Sequence, residues 1–160
     1  MILRTNGYSG KMPATQHADR AYLNPGDIGL TKRGKKISVL IVDDEFADRK
    51  LMTQILRSFG FEIIGEAENG KTALDLYCKK KPRIIILDML MPGMSGLAVL
   101  RSIKFDNPHA LVIMCTSVDD KATVGKLLEA GAVDYIVKPI DRSIIFEKMS
   151  KLVVRYESMI

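Results

Sequence analysis

From Ile37 onward, the chain alternates short aliphatic runs with amphipathic segments. The runs ISVLIV at 37–42 and RIIILD at 83–88 are dominated by aliphatic residues, which is typical of strands buried on both faces of a parallel sheet. Strands are also predicted at 62–68, 110–117 and 133–137. The spacing of apolar residues predicts helices over 45–59, 70–80, 97–104 and 119–129, and a last helix that begins after Asp141.

Helix boundaries carry their own signals. Gly60, Pro82 and Gly131 end three of the helices, and Ser95 and Asp141 are candidate N-caps. Five strands in strict alternation with five helices predict an α/β fold, a doubly wound five-stranded parallel sheet with helices on both faces. Ligands of such sheets bind beyond the carboxyl ends of the strands, where the winding direction reverses.

Composition narrows the class of protein. A hydrophobic fraction of 47% and a charged fraction of 27% are ordinary for a globular domain. No apolar run is long enough to cross a bilayer, and the N-terminus has no apolar signal-peptide core. The two cysteines, Cys78 and Cys115, match no metal-site or disulfide spacing. We therefore expect a cytoplasmic protein with reduced thiols.

The charge is unevenly distributed along the chain. The formal net charge is +5, but residues 1–36 contain seven Lys and Arg against two Asp, and the remainder has 17 of each sign. We therefore divide the chain into a flexible basic N-terminal extension at 1–36 and a neutral folded domain at 37–160. A neutral domain argues against DNA binding. The run TKRGKK in the extension is either a basic tether for a membrane or an acidic partner, or simply solvated.

Polar residues follow four of the five predicted strands. Asp43 and Asp44 follow the first strand, Asp88 ends the third, Thr116 ends the fourth and Lys138 follows the fifth. Each has an ordinary explanation alone, such as an N-cap, a turn or a solvated lysine. Together they converge on the edge of the sheet where ligands bind. The second strand offers nothing comparable, as expected for an edge strand away from the site.

The residue types point to a particular chemistry. Three carboxylates without a nearby His or Cys suit a hard cation, and Mg²⁺ fits best because it takes few protein ligands and often binds together with phosphate. The cation would cancel the repulsion between Asp43 and Asp44. Asp88 could be both ligand and nucleophile, forming an aspartyl phosphate. Lys138 supplies positive charge for phosphoryl oxygens, and Thr116 supplies a hydroxyl donor.

Four segments stand out together: VDDE at 42–45, ILDMLMPGMSG at 86–96, CTS at 115–117 and GAVDYIVKP at 131–139. They resemble the receiver domain of two-component response regulators, in particular a stand-alone receiver of the chemotaxis-regulator type. The resemblance extends from residue 37 to about 157. It implies a flavodoxin-like sheet with strand order 2-1-3-4-5.

The resemblance also implies roles for the site residues. Asp88 would be the phosphoacceptor, Asp44 would bind Mg²⁺ directly, and Asp43 would bind it largely through water. The backbone carbonyl of Leu90 would be a further metal ligand. Lys138 would pair with the phosphoryl group.

The remaining implied roles concern the switch and the loops. Thr116 would be the switch hydroxyl and Tyr135 the switch aromatic. Pro92 and Gly93 would shape the loop after the acceptor, and the bond preceding Pro139 would be cis. The chain departs from many relatives in carrying apolar Leu90 and Val118. Both would border the path of an attacking water, so we expect slow dephosphorylation.

The function implied is that of a phosphorylation-dependent signalling switch. It would accept a phosphoryl group from a sensor histidine kinase or a histidine phosphotransfer protein, and signal through a downstream protein target. We expect no enzymatic activity beyond slow self-catalysed phosphorylation and dephosphorylation. We also expect no DNA-binding domain in this chain. The protein would be a monomer or a phosphorylation-linked homodimer.

Two alternatives remain open at this point. A metal-dependent phosphatase with an aspartyl-phosphate intermediate would place a D-x-D pair on one strand, whereas here the paired acids are adjacent. A flavodoxin-like cofactor binder would need a phosphate-binding loop after the first strand, where this chain has carboxylates.

Overall fold

The computed structural model describes residues 24–160. The strands are β1 Ser38–Val42, β2 Glu62–Ala67, β3 Ile84–Asp88, β4 Leu111–Thr116 and β5 Asp134–Val137. The helices are α1 Phe46–Ser58, α2 Gly70–Lys80, α3 Gly96–Asp106, α4 Lys121–Glu129 and α5 Arg142–Arg155. Every predicted element is present, and the predicted ends differ from the observed ones by at most two residues.

The five strands form one parallel sheet in the order β2-β1-β3-β4-β5, which confirms the predicted fold class and strand order. Every residue of β3 and β4 is buried, as the unbroken aliphatic runs predicted. One core cluster joins the sheet to α1 and α5. The other joins it to α2, α3 and α4. As predicted, β2 is an edge strand.

Local signals start and stop the helices. Four N-cap side chains accept hydrogen bonds from backbone N–H groups of the first turn: Asn69 for α2, Ser95 for α3, Asp120 for α4 and Asp141 for α5. The roles predicted for Ser95 and Asp141 are confirmed. Such a cap satisfies donors that the helix leaves unpaired, and is worth about 1 kcal/mol.

The segment at 24–36 is packed on the domain. Ile28 is fully buried in the core on the side of α1 and α5. The backbone N–H of Gly29 donates to the carbonyl of Phe59 at 2.8 Å, and the N–H of Ile37 donates to the carbonyl of Gly29 at 2.7 Å. Packing thus begins before the predicted boundary at residue 37. The sequence did not indicate this earlier start, because a single buried Ile28 creates no periodic pattern.

Glycines permit this close approach. A Cβ on Gly29 would lie 2.3 Å from the backbone nitrogen of Phe61, and a Cβ on Gly60 would lie 2.3 Å from the carbonyl oxygen of Gly26. Gly60 also has a φ of 88°, a conformation that L side chains rarely adopt. The N-terminal segment therefore runs against the turn between α1 and β2, with no room for a side chain at residues 29 and 60.

The basic run of the extension forms a short turn. The N–H of Thr31 donates to the carbonyl of Lys35 at 2.8 Å, and Leu30 pairs with Lys36 in an antiparallel bridge. Lys32 forms an ion pair with Glu157 at 3.0 Å. Of the extension predicted to be flexible over 1–36, residues 24–36 pack on the domain, and residues 1–23 lie outside the described residues. Among residues 24–160, no helix has the length and hydropathy needed to cross a bilayer.

Candidate functional site

Parallel strands deliver their last residues to one edge of the sheet. In the pairing of β3 with β4, Asp88 lies opposite Cys115, next to Thr116. The backbone N–H of Lys138 donates to the carbonyl of Thr116 at 2.8 Å, which positions the residue after β5 at the same edge. The structure therefore brings together the polar residues that the sequence predicted there.

Asp43, Asp44 and Asp88 form an acidic cluster. Each offers a carboxylate oxygen, and these oxygens lie within 4.8 Å of one another. Asp43 and Asp88 are buried, whereas Asp44 is more exposed. Backbone N–H groups orient two of them: Glu45 donates to Asp43 Oδ1 at 2.8 Å, and Leu90 donates to Asp88 Oδ1 at 3.2 Å.

Burial and like charge act together on Asp88. Burial raises the pKa of Asp88 to about 6, with smaller increases from Asp43 and Asp44 and an opposing decrease from Lys138. Its ionised form is thus held in the folded protein at an electrostatic cost. An oxygen-only donor set with this excess of negative charge fits Mg²⁺. The residues present therefore match the predicted cation.

Lys138 lies among carboxylates. Its Nζ is 2.9 Å from Asp43 Oδ2, 2.9 Å from Asp48 Oδ2 and 3.6 Å from Asp88 Oδ2. Burial lowers the pKa of Lys138, but hydrogen bonds with Asp43 and Asp48 outweigh it and raise the pKa above the usual range of a lysine. Lys138 therefore carries a permanent positive charge at this site. The bond between Lys138 and Pro139 is cis, as the resemblance implied.

Asp48 is a site residue that the sequence analysis missed. It lies on the first turn of α1 and not directly after a strand, where the other site residues stand. One signal was available: Asp48 is only four residues beyond Asp44, on the first turn of the predicted helix, and so lies close to the strand end that carries the paired acids.

Thr116 and Tyr135 lie on adjacent strands. Thr116 is fully buried, and its hydroxyl accepts a hydrogen bond from the N–H of Val118 at 3.0 Å and contacts Met89 Sδ at 3.9 Å. Tyr135 lies within β5 and pairs with Met114, and Val137 pairs with Thr116. Side chains alternate along a strand, so Tyr135 and Thr116 share one face of the sheet.

The ring of Tyr135 is only half-buried. Lys148 Nζ lies 4.8 Å from the ring centroid, in the geometry of a cation–π contact, and also pairs with Asp134 at 2.7 Å. This lysine from α5 therefore covers one face of the ring. The position is compatible with a switch residue, but the switch role of Tyr135 stays a prediction.

The loop after Asp88 is shaped by glycines. Gly93, which follows Pro92, has a φ of 77° and open space where a Cβ would stand. Gly96 was not predicted to matter, yet a Cβ there would lie 2.0 Å from the carbonyl oxygen of Asp88. The start of α3 can approach the acidic cluster because residue 96 has no side chain. Leu90 is 54% exposed, and the metal-binding role of its carbonyl stays a prediction.

Comparisons with known proteins give one consistent answer. Residues 39–150 match the family model of the response regulator receiver domain. The chain is 38% identical over 114 residues to the chemotaxis protein CheY of Thermotoga maritima, covering 71% of this chain and 95% of that protein. It is also 40% identical over 114 residues to a cyclic di-GMP phosphodiesterase of the same organism, but covers only 30% of that longer protein.

Solved structures agree with the sequence comparisons. A chain in the crystal structure of a CheX-CheY-BeF3-Mg complex from Borrelia burgdorferi superposes with a TM-score of 0.75 at 35% identity. The match covers 78% of this chain and 95% of that one.

Proposed function

This chain belongs to the family of response regulator receiver domains, and from that premise we propose that Asp88 is its phosphoacceptor. The protein is a phosphorylation-dependent switch of two-component signalling. No finding supports the phosphatase or the cofactor binder considered above.

The hydrogen bonds of the carboxylate oxygens favour Asp88, and not the neighbouring Asp43, as the phosphoacceptor. Both oxygens of Asp43 are hydrogen-bonded, one to the N–H of Glu45 and the other to Lys138. Asp88 Oδ2 instead lies 3.6 Å from Lys138 Nζ, beyond ordinary hydrogen-bond length. This loosely held oxygen inside the acidic cluster is the observation that carries the assignment.

The proposed reaction is a phosphoryl transfer from a phosphohistidine. The oxygen of Asp88 forms the new O–P bond as the N–P bond of the donor breaks. The electron pair of that bond stays on the imidazole nitrogen, which then takes a proton. Lys138 balances the negative charge of the transferred group. A sensor histidine kinase or a histidine phosphotransfer protein in the cytoplasm would be the donor.

Asp43, Asp44 and Asp88 would hold Mg²⁺, with the carbonyl of Leu90 as a further ligand. When bound, the cation would offset the charge of the carboxylates and of the incoming phosphoryl group. The chain's own contribution is the placement of those oxygens by β1, β3 and the backbone donors described above.

The switch would act through Thr116 and Tyr135. The Thr116 hydroxyl now accepts from Val118, and it would turn to donate to a phosphoryl oxygen. Charge-assisted hydrogen bonds of this kind contribute roughly 1.5–3 kcal/mol each. Tyr135 would respond because it lies on the same face of the sheet, and signalling would follow through contacts with a downstream protein, as a monomer or a homodimer.

The lifetime of the phosphoryl group follows from its surroundings. Apolar Leu90 and Val118 offer no polar group to orient an attacking water, which favours slow dephosphorylation. The protein would then have no enzymatic activity beyond slow self-catalysed phosphorylation and dephosphorylation.

Intact mass spectrometry after treatment with acetyl phosphate and Mg²⁺ tests the assignment. We expect a gain of one phosphate in the wild type, labile to hydroxylamine as an acyl phosphate should be, and none in Asp88→Asn. Asp75→Asn, which removes an exposed acid from α2, is the matched control and should be phosphorylated normally. Phosphate uptake by Asp88→Asn would contradict the proposal.

A further inference from the structure

Lys138 makes its two shortest ion pairs with residues other than the proposed phosphoacceptor. An ammonium group has three N–H donors. Asp43 and Asp48 each lie at 2.9 Å from Lys138 Nζ, whereas Asp88 lies at 3.6 Å. In the unphosphorylated structure, Lys138 is therefore directed towards Asp43 and Asp48.

Asp48 forms its ion pair with Lys138, while the cations next to Asp48 in the sequence pair with another residue. The next two residues on α1, Arg49 and Lys50, both pair with Glu66 on β2, at 3.8 and 3.0 Å. Arg49 also donates to the carbonyl of Asp43 at 2.7 Å. The cations beside Asp48 in sequence are thus held towards β2.

We propose that Asp48 holds Lys138 in the unphosphorylated protein and competes with the phosphoryl group on Asp88 for it. This inference rests on the proposed function. A phosphoryl group adds about −1.5 to −2 charges, and it gains most from Lys138 if the ammonium turns towards it. To do so, Lys138 must loosen its contact with Asp48.

Asp48 is distinct from the cation site. The carboxylate oxygens that lie within 4.8 Å of one another come from Asp43, Asp44 and Asp88. Asp48 can therefore be changed without removing a member of that cluster. Its effect should appear in the affinity for the phosphoryl group and leave the affinity for Mg²⁺ nearly unaltered.

Beryllofluoride, which stands in for the phosphoryl group on Asp88, is the probe. The full chain is saturated with Mg²⁺ and titrated with beryllofluoride, and binding is followed by NMR. We expect Asp48→Asn to bind it at least about fivefold more tightly than the wild type, a typical size for coupling between sites. The Mg²⁺ dissociation constant, measured separately, should change less than about twofold.

The matched control is Asp119→Asn. Asp119 is an exposed acid in the loop after β4, at the same edge of the sheet, and its substitution changes the net charge equally. It should change beryllofluoride binding less than about twofold. The ¹⁵N signal of the Lys138 ammonium in the free protein should shift in Asp48→Asn and stay in place in Asp119→Asn.

A double-mutant cycle with Lys138→Met tests whether Asp48 acts by holding Lys138 or by directly repelling the bound beryllofluoride. If Asp48 acts through the lysine, Asp48→Asn should give no gain beyond that of Asp119→Asn in the Lys138→Met background. An undiminished gain there would overturn the proposal, as would weaker binding by Asp48→Asn in the wild-type background. Beryllofluoride binding by Asp88→Asn would instead refute the proposed function itself.

Discussion

The two ends of the sheet are built on opposite principles. At the carboxyl end, three carboxylates and a lysine share a largely buried space, and burial raises the pKa of Asp88 to about 6. At the amino end, Ile28 fills the core, and Gly29 bonds to the turn after α1. One end concentrates charge at a cost in stability, and the other adds apolar contacts and backbone hydrogen bonds.

The comparison of the two ends shows where this domain gains and loses stability. Like charges held together are unfavourable until a ligand neutralises them, so the stability of the carboxyl end should depend on its ligands. Burial of Ile28 is favourable in every ligand state. We therefore expect substitutions at the amino end to change stability alone, and substitutions at the carboxyl end to change stability in a manner that depends on pH and Mg²⁺.

The largest effect should come from deleting residues 1–36. The deletion removes Ile28 and the hydrogen bonds of Gly29, and truncation of a buried isoleucine alone costs about 2–5 kcal/mol. We expect the free energy of unfolding in urea to fall by at least about 3 kcal/mol, while the folded fraction still takes up phosphate on Asp88.

Two variants sharpen this test. Deleting residues 1–23 keeps the contacts of Ile28 and Gly29 described above, so the difference in unfolding free energy between the two deletions isolates the contribution of residues 24–36. Ile28→Ala should reproduce most of the loss. An unchanged stability on deletion of 1–36 would mean that the segment adds nothing, and that the two ends do not differ as described.

Asp88→Asn should stabilise the Mg²⁺-free protein at pH 8 by about 1–2 kcal/mol. The folded pKa of about 6 lies above the ordinary value of an aspartate, so the folded state binds this proton more tightly than the unfolded chain. The destabilisation is fully present above about pH 6 and disappears towards pH 4. Thermal and urea unfolding of both proteins across this range should show the advantage of Asp88→Asn shrinking as the pH falls.

An advantage of Asp88→Asn that is independent of pH would contradict this account of the carboxyl end. Ile28→Ala provides the contrast, since its loss of stability involves no titrating group. That loss should be the same at pH 5 and pH 8.

Mg²⁺ should stabilise the unphosphorylated protein by about 1 kcal/mol at five times its dissociation constant. The cation relieves repulsion among Asp43, Asp44 and Asp88 only in the folded state. The double variant Asp43→Asn/Asp44→Asn should lose this response in thermal melts, whereas Glu62→Gln, on β2 at the other end, should keep it. An equal shift in the double variant would place the cation elsewhere.

The smallest effect should come from Lys32→Ala at the amino end. The ion pair of Lys32 with Glu157 is largely exposed on the lysine side, and such pairs contribute about 0–1 kcal/mol. We expect a loss below about 0.5 kcal/mol that vanishes in 1 M salt. A loss comparable to that of Ile28→Ala would show that charge, and not apolar burial, anchors the segment.

The fold and most of the site were predictable from the sequence. Buried strands such as 84–88 and capped helices such as the one after Ser95 are encoded within a few neighbouring residues. Once the parallel sheet is established, the positions of Asp43, Asp88 and Lys138 follow from the rule that strand ends share an edge. The strand order came from the family resemblance.

Contacts between distant segments were decided only by the tertiary structure. Ile28 belongs to no longer apolar repeat, and the core cluster that it shares with Phe59 and Phe61 exists only after the domain has folded. Asp48 gains its role from Lys138, which lies 90 residues later and arrives through the end of β5. A sequence encodes periodicity and caps locally, whereas a single long-range contact leaves no local trace, because its energy depends on which surfaces the finished fold brings together.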